Sequence, residues 1–317
     1  MSGTRVGTFL CVLAAWAVLA LGTAAQAAIT HGTTTINMDF VNVGYAGNTA
    51  DDSGYGAVAY KYQIGKYEVT AAQWAAVQTA DPNVGNAGYW SDSEPTGGIS
   101  WHEAAKLSNW LTTGHYDQGY YSIDSGGLAT IPSGVSHDAY AAAHGTTYFI
   151  PTENEWYKAA YHKNNGVTGG ADNYWNYPTG SDSMPVGIRN PQNVPFDAVF
   201  YDFYDGPDGY TQDYPNDVTN AGVASPYGTI GQGGNIWEWD EAVVWGLGWW
   251  RGVRGGYSNS GPELLHASGR YSSDPAYEYG NNGFRVASIE AIPEPGSLAV
   301  WAGVALTALL CWSRKRA

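Results

Sequence analysis

Both cysteines of the chain, Cys11 and Cys311, lie in apolar segments at its two ends. The residues between these segments, 28–290, must therefore fold without a disulfide bond, a thiolate metal ligand or a cysteine nucleophile. This part of the chain is long enough for one large domain, and no linker-like stretch divides it. We therefore expect a single cysteine-free domain.

The N-terminal end has the pattern of a secretion signal. Arg5 precedes an apolar run over residues 6–21, and Ala25-Gln26-Ala27 has the small-x-small form that signal peptidase cleaves. The alternative is an N-terminal membrane anchor, but the run is short and ends in small residues. The pattern predicts that residues 1–27 are a signal peptide and that the protein is exported.

The C-terminal end has three parts in order. Pro293-Glu294-Pro295 precedes an apolar stretch over residues 296–312, and Arg314-Lys315-Arg316 follows it. The stretch is just long enough to span a bilayer, and the basic cluster predicts that its end stays cytoplasmic, with the domain outside. Residues 292–317 resemble the PEP-CTERM sorting signal. That resemblance implies recognition and removal by an exosortase-type protease in a Gram-negative-type envelope, whereas the physical layout alone indicates an inner-membrane tether.

The domain is strongly acidic. Of 29 acidic residues only Glu294 lies outside it, and of 14 basic residues four do, which leaves a net charge of −18. Such a surface repels nucleic acid, whereas cations and neutral sugars are easier to accommodate. The abundance of glycine, tyrosine and tryptophan (42, 24 and 14 residues) predicts an aromatic core and much irregular backbone.

Capping boxes and alternating apolar residues predict an α+β domain. Helices are expected from Thr70 through Thr79, from Ser100 through Leu111 and from Thr152 through His162, because each opens with a hydroxyl followed three residues later by Glu or Gln. Apolar faces on the last two indicate half-buried surface helices. Strands are expected within 36–43 and 60–69, at 251–257 and at 283–288, and residues 166–261 should otherwise be mostly loops.

Seven blocks of sequence resemble, in order, the formylglycine-generating enzyme or sulfatase-modifying-factor family. They are Lys66-Tyr67-Glu68-Val69-Thr70 with Gln73-Trp74, Ile99-Ser100-Trp101-His102-Glu103-Ala104, Ile150-Pro151-Thr152-Glu153-Asn154-Glu155-Trp156, Tyr227-Gly228, Gly233-Gly234-Asn235-Ile236-Trp237-Glu238-Trp239, Arg254-Gly255-Gly256 and Gly283-Phe284-Arg285-Val286-Ala287. The blocks run from about residue 60 to 288. The resemblance implies an elaborated C-type-lectin-like fold with little regular secondary structure.

The chemistry of that family does not carry over. Its active members oxidise a substrate cysteine to formylglycine with copper held by two of their own cysteines, which follow the Arg-Gly-Gly block. Here residues 257–266 contain Ser258 and Ser260 but no sulfur. A serine hydroxyl has a far higher pKa than a thiol and is a poor copper(I) ligand, so copper is not expected and no catalytic residue is assigned.

A calcium site is the metal site that the resemblance implies. The family's calcium loop corresponds to the carbonyls of Gly234 and Ile236 and the carboxylate of Glu238, with the carbonyl of Gly231 as a further candidate. Calcium favours such all-oxygen coordination. The alternative for Glu238 is a core carboxylate paired with Arg285 or Arg254. A second calcium loop would fall at Ala198-Val199-Phe200, which lacks the family's Ala-Asn start.

Ligand-contacting residues are sought among the scarce cations, the tryptophans and the serines of the 257–266 stretch. The candidates for a groove are Trp175, Trp239, Arg254, Ser258, Ser260 and Arg270. Rigid aromatic rings stack on sugars and peptides, so Trp237, Trp249 and Trp250 are further possibilities, with core packing the preferred interpretation for Trp237. For Arg254, Arg270 and Arg285, internal ion pairs are the preferred interpretation and ligand binding is the alternative. Trp249-Trp250 should expose one ring, because adjacent residues of a strand face opposite sides. The seven histidines show no ligand-pair spacing, which favours scattered surface positions.

Two functions of different classes follow. The first is a non-catalytic binding or structural module of the cell envelope or extracellular matrix that contacts a saccharide or a peptide, in one variant a sulfatase peptide. The second is a divergent formylglycine-generating-type oxidoreductase with an unrecognised metal arrangement. The missing thiols favour the first.

Overall fold

The last strand of the domain lies inside its largest sheet. In the computed structural model, which describes residues 25–86, 88, 90–165, 173–188, 195–203, 213–244 and 249–290, this sheet has the order β1-β2-β3-β11-β6 and is antiparallel throughout. Its strands are β1 (Ala25–His31), β2 (Thr34–Val43), β3 (Tyr62–Gly65), β6 (Thr147–Phe149) and β11 (Ala287–Ile289). The expected strand pair within residues 36–69 is confirmed as β2 and β3.

A second sheet of four strands has the order β10-β7-β8-β9. Its strands are β7 (Trp237–Val243), β8 (Arg251–Arg254), β9 (Tyr271–Ser273) and β10 (Asn282–Gly283), and β10 runs parallel to β7 whereas the other pairs are antiparallel. A separate two-stranded ribbon pairs β4 (Ser122–Ile123) with β5 (Ala129–Thr130). The strand expected at 283–288 is thus split, because residues 284–286 cross from the second sheet to the first.

Three of the four helices in the described residues begin at the predicted capping boxes. They are α1 (Ala71–Ala80), α2 (Trp101–Thr113) and α4 (Glu153–Tyr161), and in each the hydroxyl of the capping residue accepts a backbone N–H while the Gln or Glu side chain reaches back to the capping residue's own N–H. The three helix predictions are confirmed. The fourth helix, α3 (His137–His144), was not expected, and its capping residue Ser136 makes no side-chain capping bond.

The burial of α2 and α4 corrects the expectation of half-buried surface helices. In α4 only Asn154 is not fully buried, and even Lys158 is buried, with its ammonium donating to the carbonyl of Tyr45 at 3.0 Å. Irregular segments cover the face of the helix that would otherwise meet solvent, so the amphipathic pattern understates how deeply it lies. The mixture of helices, short strands and long irregular segments confirms the α+β class.

No helix in the described part of the chain is both long and apolar enough to cross a membrane. The proposed signal segment up to residue 24, the apolar stretch 296–312 and the sorting residues Pro293 to Pro295 and Arg314 to Arg316 lie outside the described residues.

Candidate functional site

The turn after Arg254-Gly255-Gly256 is closed by its own serines. Ser258 and Ser260 are both buried, the Ser260 hydroxyl accepts the Tyr257 N–H at 2.9 Å, and the Ser260 carbonyl accepts the Tyr201 N–H at 2.9 Å. The Ser258 N–H donates to the carbonyl of Asn235 at 3.1 Å. A copper ion would need thiolates here, and this hydrogen-bonded turn offers hydroxyls, so the residues do not fit copper.

Glu238 is a core carboxylate paired with Arg285. The guanidinium forms a two-point bond, with Nε to Oε2 and Nη2 to Oε1 both at 2.6 Å, and the Trp156 indole N–H donates to Oε2 at 2.7 Å. Both side chains of the pair are fully buried. Burial disfavours the charged guanidinium, but the carboxylate outweighs that effect and raises the pKa of Arg285.

The geometry around Glu238 does not fit calcium coordination by its carboxylate. Both oxygens already accept strong hydrogen bonds, and a divalent cation would sit against a buried guanidinium. In the same loop the Gly234 N–H donates to the carbonyl of Gly255 at 2.8 Å, and Ile236 lines a cleft described below. Among the described residues no group of three or more His, Cys, Asp or Glu could hold a metal.

Glu68 is a second buried carboxyl beside this pair, and no pattern in the sequence assigns it a role. Its Oε1 accepts the Asn235 amide at 3.0 Å, whereas no described group bonds Oε2. Burial raises the pKa of Glu68 to about 7; Arg285 lowers it and Glu238 raises it. Gly231, the further calcium candidate, adopts φ +81°, and a Cβ there would collide with the Glu68 carboxylate.

Arg254 and Arg270 both pair with Glu153, as the ion-pair interpretation predicted. Arg254 donates from Nε to Oε1 at 2.8 Å, and Arg270 donates from Nε to Oε1 and from Nη2 to Oε2, each at 2.7 Å. Arg254 also donates to the carbonyls of Ala267 and Gly269, so its donors are used inside the protein. Nearby Asp240 is fully buried, and burial together with the Glu153 charge raises its pKa to about 8.

The six groove candidates do not form one groove, which corrects that prediction. Trp239 is fully buried and its indole N–H donates to the carbonyl of Ile99 at 3.1 Å. Arg254 and Ser260 are also buried and line neither cleft described below, and Ser258, although only 2% exposed, lines a cleft that the partly exposed candidates do not line. Only Trp175, whose ring carries the Lys163 ammonium at 4.3 Å, and Arg270 are partly exposed.

Two of the histidines are deeply buried, contrary to the expectation of surface positions. His137 lies between two carboxylates, with Nδ1 3.0 Å from both Glu155 oxygens and Nε2 in ion-pair contact with Glu241 at 3.2 Å. Burial lowers its pKa, but Glu155 and then Glu241 more than reverse this and raise the pKa to about 10. For His162, burial and then Lys158 lower the pKa to about 4.

An aromatic cleft of about 240 Å³ opens on the second sheet. Five aromatic side chains line it: Trp237, Trp250, Tyr271, Tyr277 and Tyr279. Three polar residues also line it: Asp274, Asn281 and Asn282. Trp237 and Trp250 are possible groove residues from the sequence alone, whereas the tyrosines are not among the candidates, and the signal that could have found them is their recurrence among small polar residues over 271–282.

A second cleft of about 290 Å³ adjoins the first, since Asn281 lines both. Its other walls include Trp90, Tyr257, Ser258 and Ile236. The turn that bears the serines therefore borders an open depression, and the two clefts together form a concave face at one end of the second sheet.

Comparison with known proteins gives a family and a fold. The family model described as "Sulfatase-modifying factor enzyme 1-like domain" matches residues 28–289. No curated protein matches the chain. Similar solved structures include Treponema denticola variable protein 1, which is 17% identical with a TM-score of 0.52 over 84% of this chain and 99% of that one. CarF is 19% identical with a TM-score of 0.52 over 80% and 98%.

A third similar structure, PvdO from Pseudomonas aeruginosa, is 14% identical with a TM-score of 0.47 over 80% of this chain and 94% of that one. The first two structures are below 25% identical to this chain, so their similarity shows the fold alone. The first two structures, together with the mixed helices and sheets described above, confirm the predicted C-type-lectin-like fold.

Proposed function

The chain belongs to the sulfatase-modifying factor enzyme 1-like family, and we propose that it is a non-catalytic binding module of that family. The observation that carries the proposal is the turn after Arg254-Gly255-Gly256, where Ser258 and Ser260 stand in the stretch that bears the catalytic thiols of active members. The Ser260 hydroxyl accepts the Tyr257 N–H and so closes the turn. A cysteine-dependent oxidation has no nucleophile or copper ligand in this stretch.

The electrostatics of the domain interior agree with a structural scaffold. The cations near the turn are bound to carboxylates: Arg254 and Arg270 to Glu153, and Arg285 to Glu238. These ion pairs hold the loops that bear them in fixed positions. Because the arginines are bound to carboxylates, a ligand is expected to bind in the open clefts instead.

The test is a direct assay of turnover. The purified protein would be incubated with a cysteine-containing sulfatase-type peptide, with and without added copper, and the peptide analysed by mass spectrometry. A catalytically active member of the family serves as positive control. We expect no aldehyde product above the buffer background, and product formation would establish the divergent oxidoreductase instead.

We further propose that the protein is exported and sorted through its two ends. The supporting observations are the sequence patterns of residues 1–27 and 292–317, which match a signal peptide and a PEP-CTERM tail. Signal peptidase and an exosortase-type protease would be the processing partners, with the C-terminal helix as a transient inner-membrane anchor before release to the envelope or outside.

Intact mass measurement of the protein from its own cells tests this second proposal. We expect a chain that begins at residue 28 and lacks the segment after the Pro-Glu-Pro motif. A cytoplasmic protein that retains residues 1–27 would contradict export. A membrane-bound protein that retains residues 292–317 would show that the tail is an uncleaved membrane anchor and not a sorting signal.

A further inference from the structure

The floor of the aromatic cleft is one face of the second sheet. Val253 of β8 pairs with Trp239 of β7 and with Tyr271 of β9, and Trp237 lies two residues before Trp239, so Trp237, Val253 and Tyr271 point to the same side. Asn282 of β10 is aligned with Trp237 and joins that side. The Trp237 and Tyr271 rings stack with their centroids 5.8 Å apart. The same face carries Trp239 into the core, Trp237 is 6% exposed and Tyr271 is 58% exposed, so this stacked pair forms the floor of the cleft where the face opens to solvent.

The walls of the cleft are aromatic rings that water can reach. Tyr277 and Tyr279 are 53% and 50% exposed, and their rings meet edge to face at 5.5 Å. Trp250 closes another side. Several large rings exposed together on one concave surface are uncommon on a soluble domain unless something covers them, and such rings offer broad apolar faces at little cost in side-chain entropy.

A buried polar group in the cleft lacks a partner. Asn282 is only 3% exposed, and its side-chain amide nitrogen bonds no described group. A buried N–H without a partner costs free energy, so a ligand oxygen at this position would be favoured. Asn281 and Asp274 add an amide and a carboxylate at the same cleft, and amides and carboxylates are suited to hydroxyl groups.

The charge of the cleft selects against anions. No lysine or arginine lines it among the described residues, Asp274 is its charged side chain, and the domain carries a net charge of −18 counted over residues 28–290. A sulfated or uronic sugar or a phosphate would therefore be repelled. An extended peptide usually binds by adding a strand to the edge of a sheet, whereas this cleft opens on a sheet face. Its volume of about 240 Å³ is also small for a ligand pocket.

We infer that the aromatic cleft binds a neutral saccharide, one or two rings of which stack on Trp237, Trp250 and the tyrosines while a hydroxyl accepts the Asn282 amide N–H. This inference rests on the proposed binding function and names its ligand class and site.

The experiment begins with the purified full-length protein on an array of neutral, N-acetylated, uronic and sulfated oligosaccharides. The tightest neutral binder is then titrated by calorimetry against the wild type and two variants, Trp250→Ala and Tyr279→Ala. Trp249→Ala is the matched control, because Trp249 is 62% exposed but does not line the cleft. Circular dichroism and melting confirm that each variant is folded.

We expect neutral sugars to bind and acidic ones to bind weakly or not at all. Trp250→Ala and Tyr279→Ala should each weaken the affinity about tenfold, since loss of a stacked ring costs on the order of 1 kcal/mol, and Trp249→Ala should change it less than twofold. Absence of neutral-sugar binding, or equal weakening by all three variants, overturns the inference. Binding of peptides alone also overturns it while leaving the binding function intact, and peptide oxidation refutes the binding function separately.

Discussion

Arg285, in the segment that joins the two sheets, donates two hydrogen bonds of 2.6 Å to the carboxylate of Glu238 on β7. The same guanidinium donates to the carbonyls of Gly65 on β3 and Ile230, at 2.9 Å each. One side chain thus connects the first sheet, the second sheet and the loop before β7, from the segment 284–286 that lies between β10 and β11.

Removing one member of this pair should be strongly destabilising. Arg285→Met leaves a buried carboxylate without its cation, and we expect a loss of about 3–5 kcal/mol in the free energy of unfolding. Urea denaturation measures it, with Lys61→Met, at an exposed lysine, as control. A loss below about 1 kcal/mol for Arg285→Met would show that the carboxylate finds another partner.

The calcium prediction can be tested at the same carboxylate. Because Arg285 and Trp156 already occupy the oxygens of Glu238, we expect a chelator to leave the melting temperature unchanged. Elemental analysis of the purified protein accompanies the melt. A chelator-dependent decrease that disappears in Glu238→Gln would instead establish calcium binding through Glu238.

The capping box of α1 offers a local test. The Thr70 hydroxyl accepts the Gln73 N–H at 3.2 Å, so Thr70→Ala should cost about 1 kcal/mol. Thr79, near the other end of the helix, is exposed and bonds only the carbonyl of Ala75. Thr79→Ala in the same helix should change the stability by less than about 0.5 kcal/mol. Equal effects in chemical denaturation would contradict the capping role.

His137 should make stability depend on alkaline pH. Its pKa is raised from 6.5 to about 10, so the stabilisation is fully present below pH 6.5 and is lost as the pH rises towards 10. His137→Gln leaves Glu155 and Glu241 without the shared cation. We expect its deficit relative to the wild type to be largest near pH 6 and to shrink by pH 10; a deficit independent of pH would refute a charged His137.

Asp240 should also make stability fall as the pH rises, over a lower pH interval than His137. Its pKa is raised from 3.8 to about 8, so folding is favoured when it is protonated and loses stability as the pH rises from about 4 to 8. Asp240→Asn cannot ionise, and we expect its stability relative to the wild type to increase across this interval. Unfolding free energies at pH 4, 6 and 8 test this, and parallel profiles for the two proteins would contradict it.

What could be predicted from the sequence was mainly local. A capping box is decided within four residues, so the three helices at Thr70, Ser100 and Thr152 were found. Helix α3 has no such signal, because Ala139 stands three residues after Ser136 where a capping box needs Glu or Gln, and the Ser136 hydroxyl donates to Asp138. Burial of α4 was underestimated because the segments that cover it are distant and irregular.

The candidate site depends on pairings that local patterns do not encode. The arginines were predicted to form ion pairs, but the shared partner Glu153 lies more than 100 residues from Arg254. The aromatic cleft combines side chains of β7, β8, β9 and the segment before β10, which only the sheet order brings together. The abundance of aromatic residues therefore indicated a binding surface but not which of them form it. Trp239, a groove candidate from the sequence, is a core residue.

The place of β11 between β3 and β6 has a consequence for the order of folding. Ala287 pairs with Ile64 on one side and with Phe149 on the other, so β3 lacks one neighbour, and β6 lacks its partner in this sheet, until β11 joins them. Contacts so distant in sequence form slowly, because the entropy of closing a long loop is lost before they stabilise the chain. The docking of residues 287–289 between β3 and β6 is therefore the step that completes this sheet.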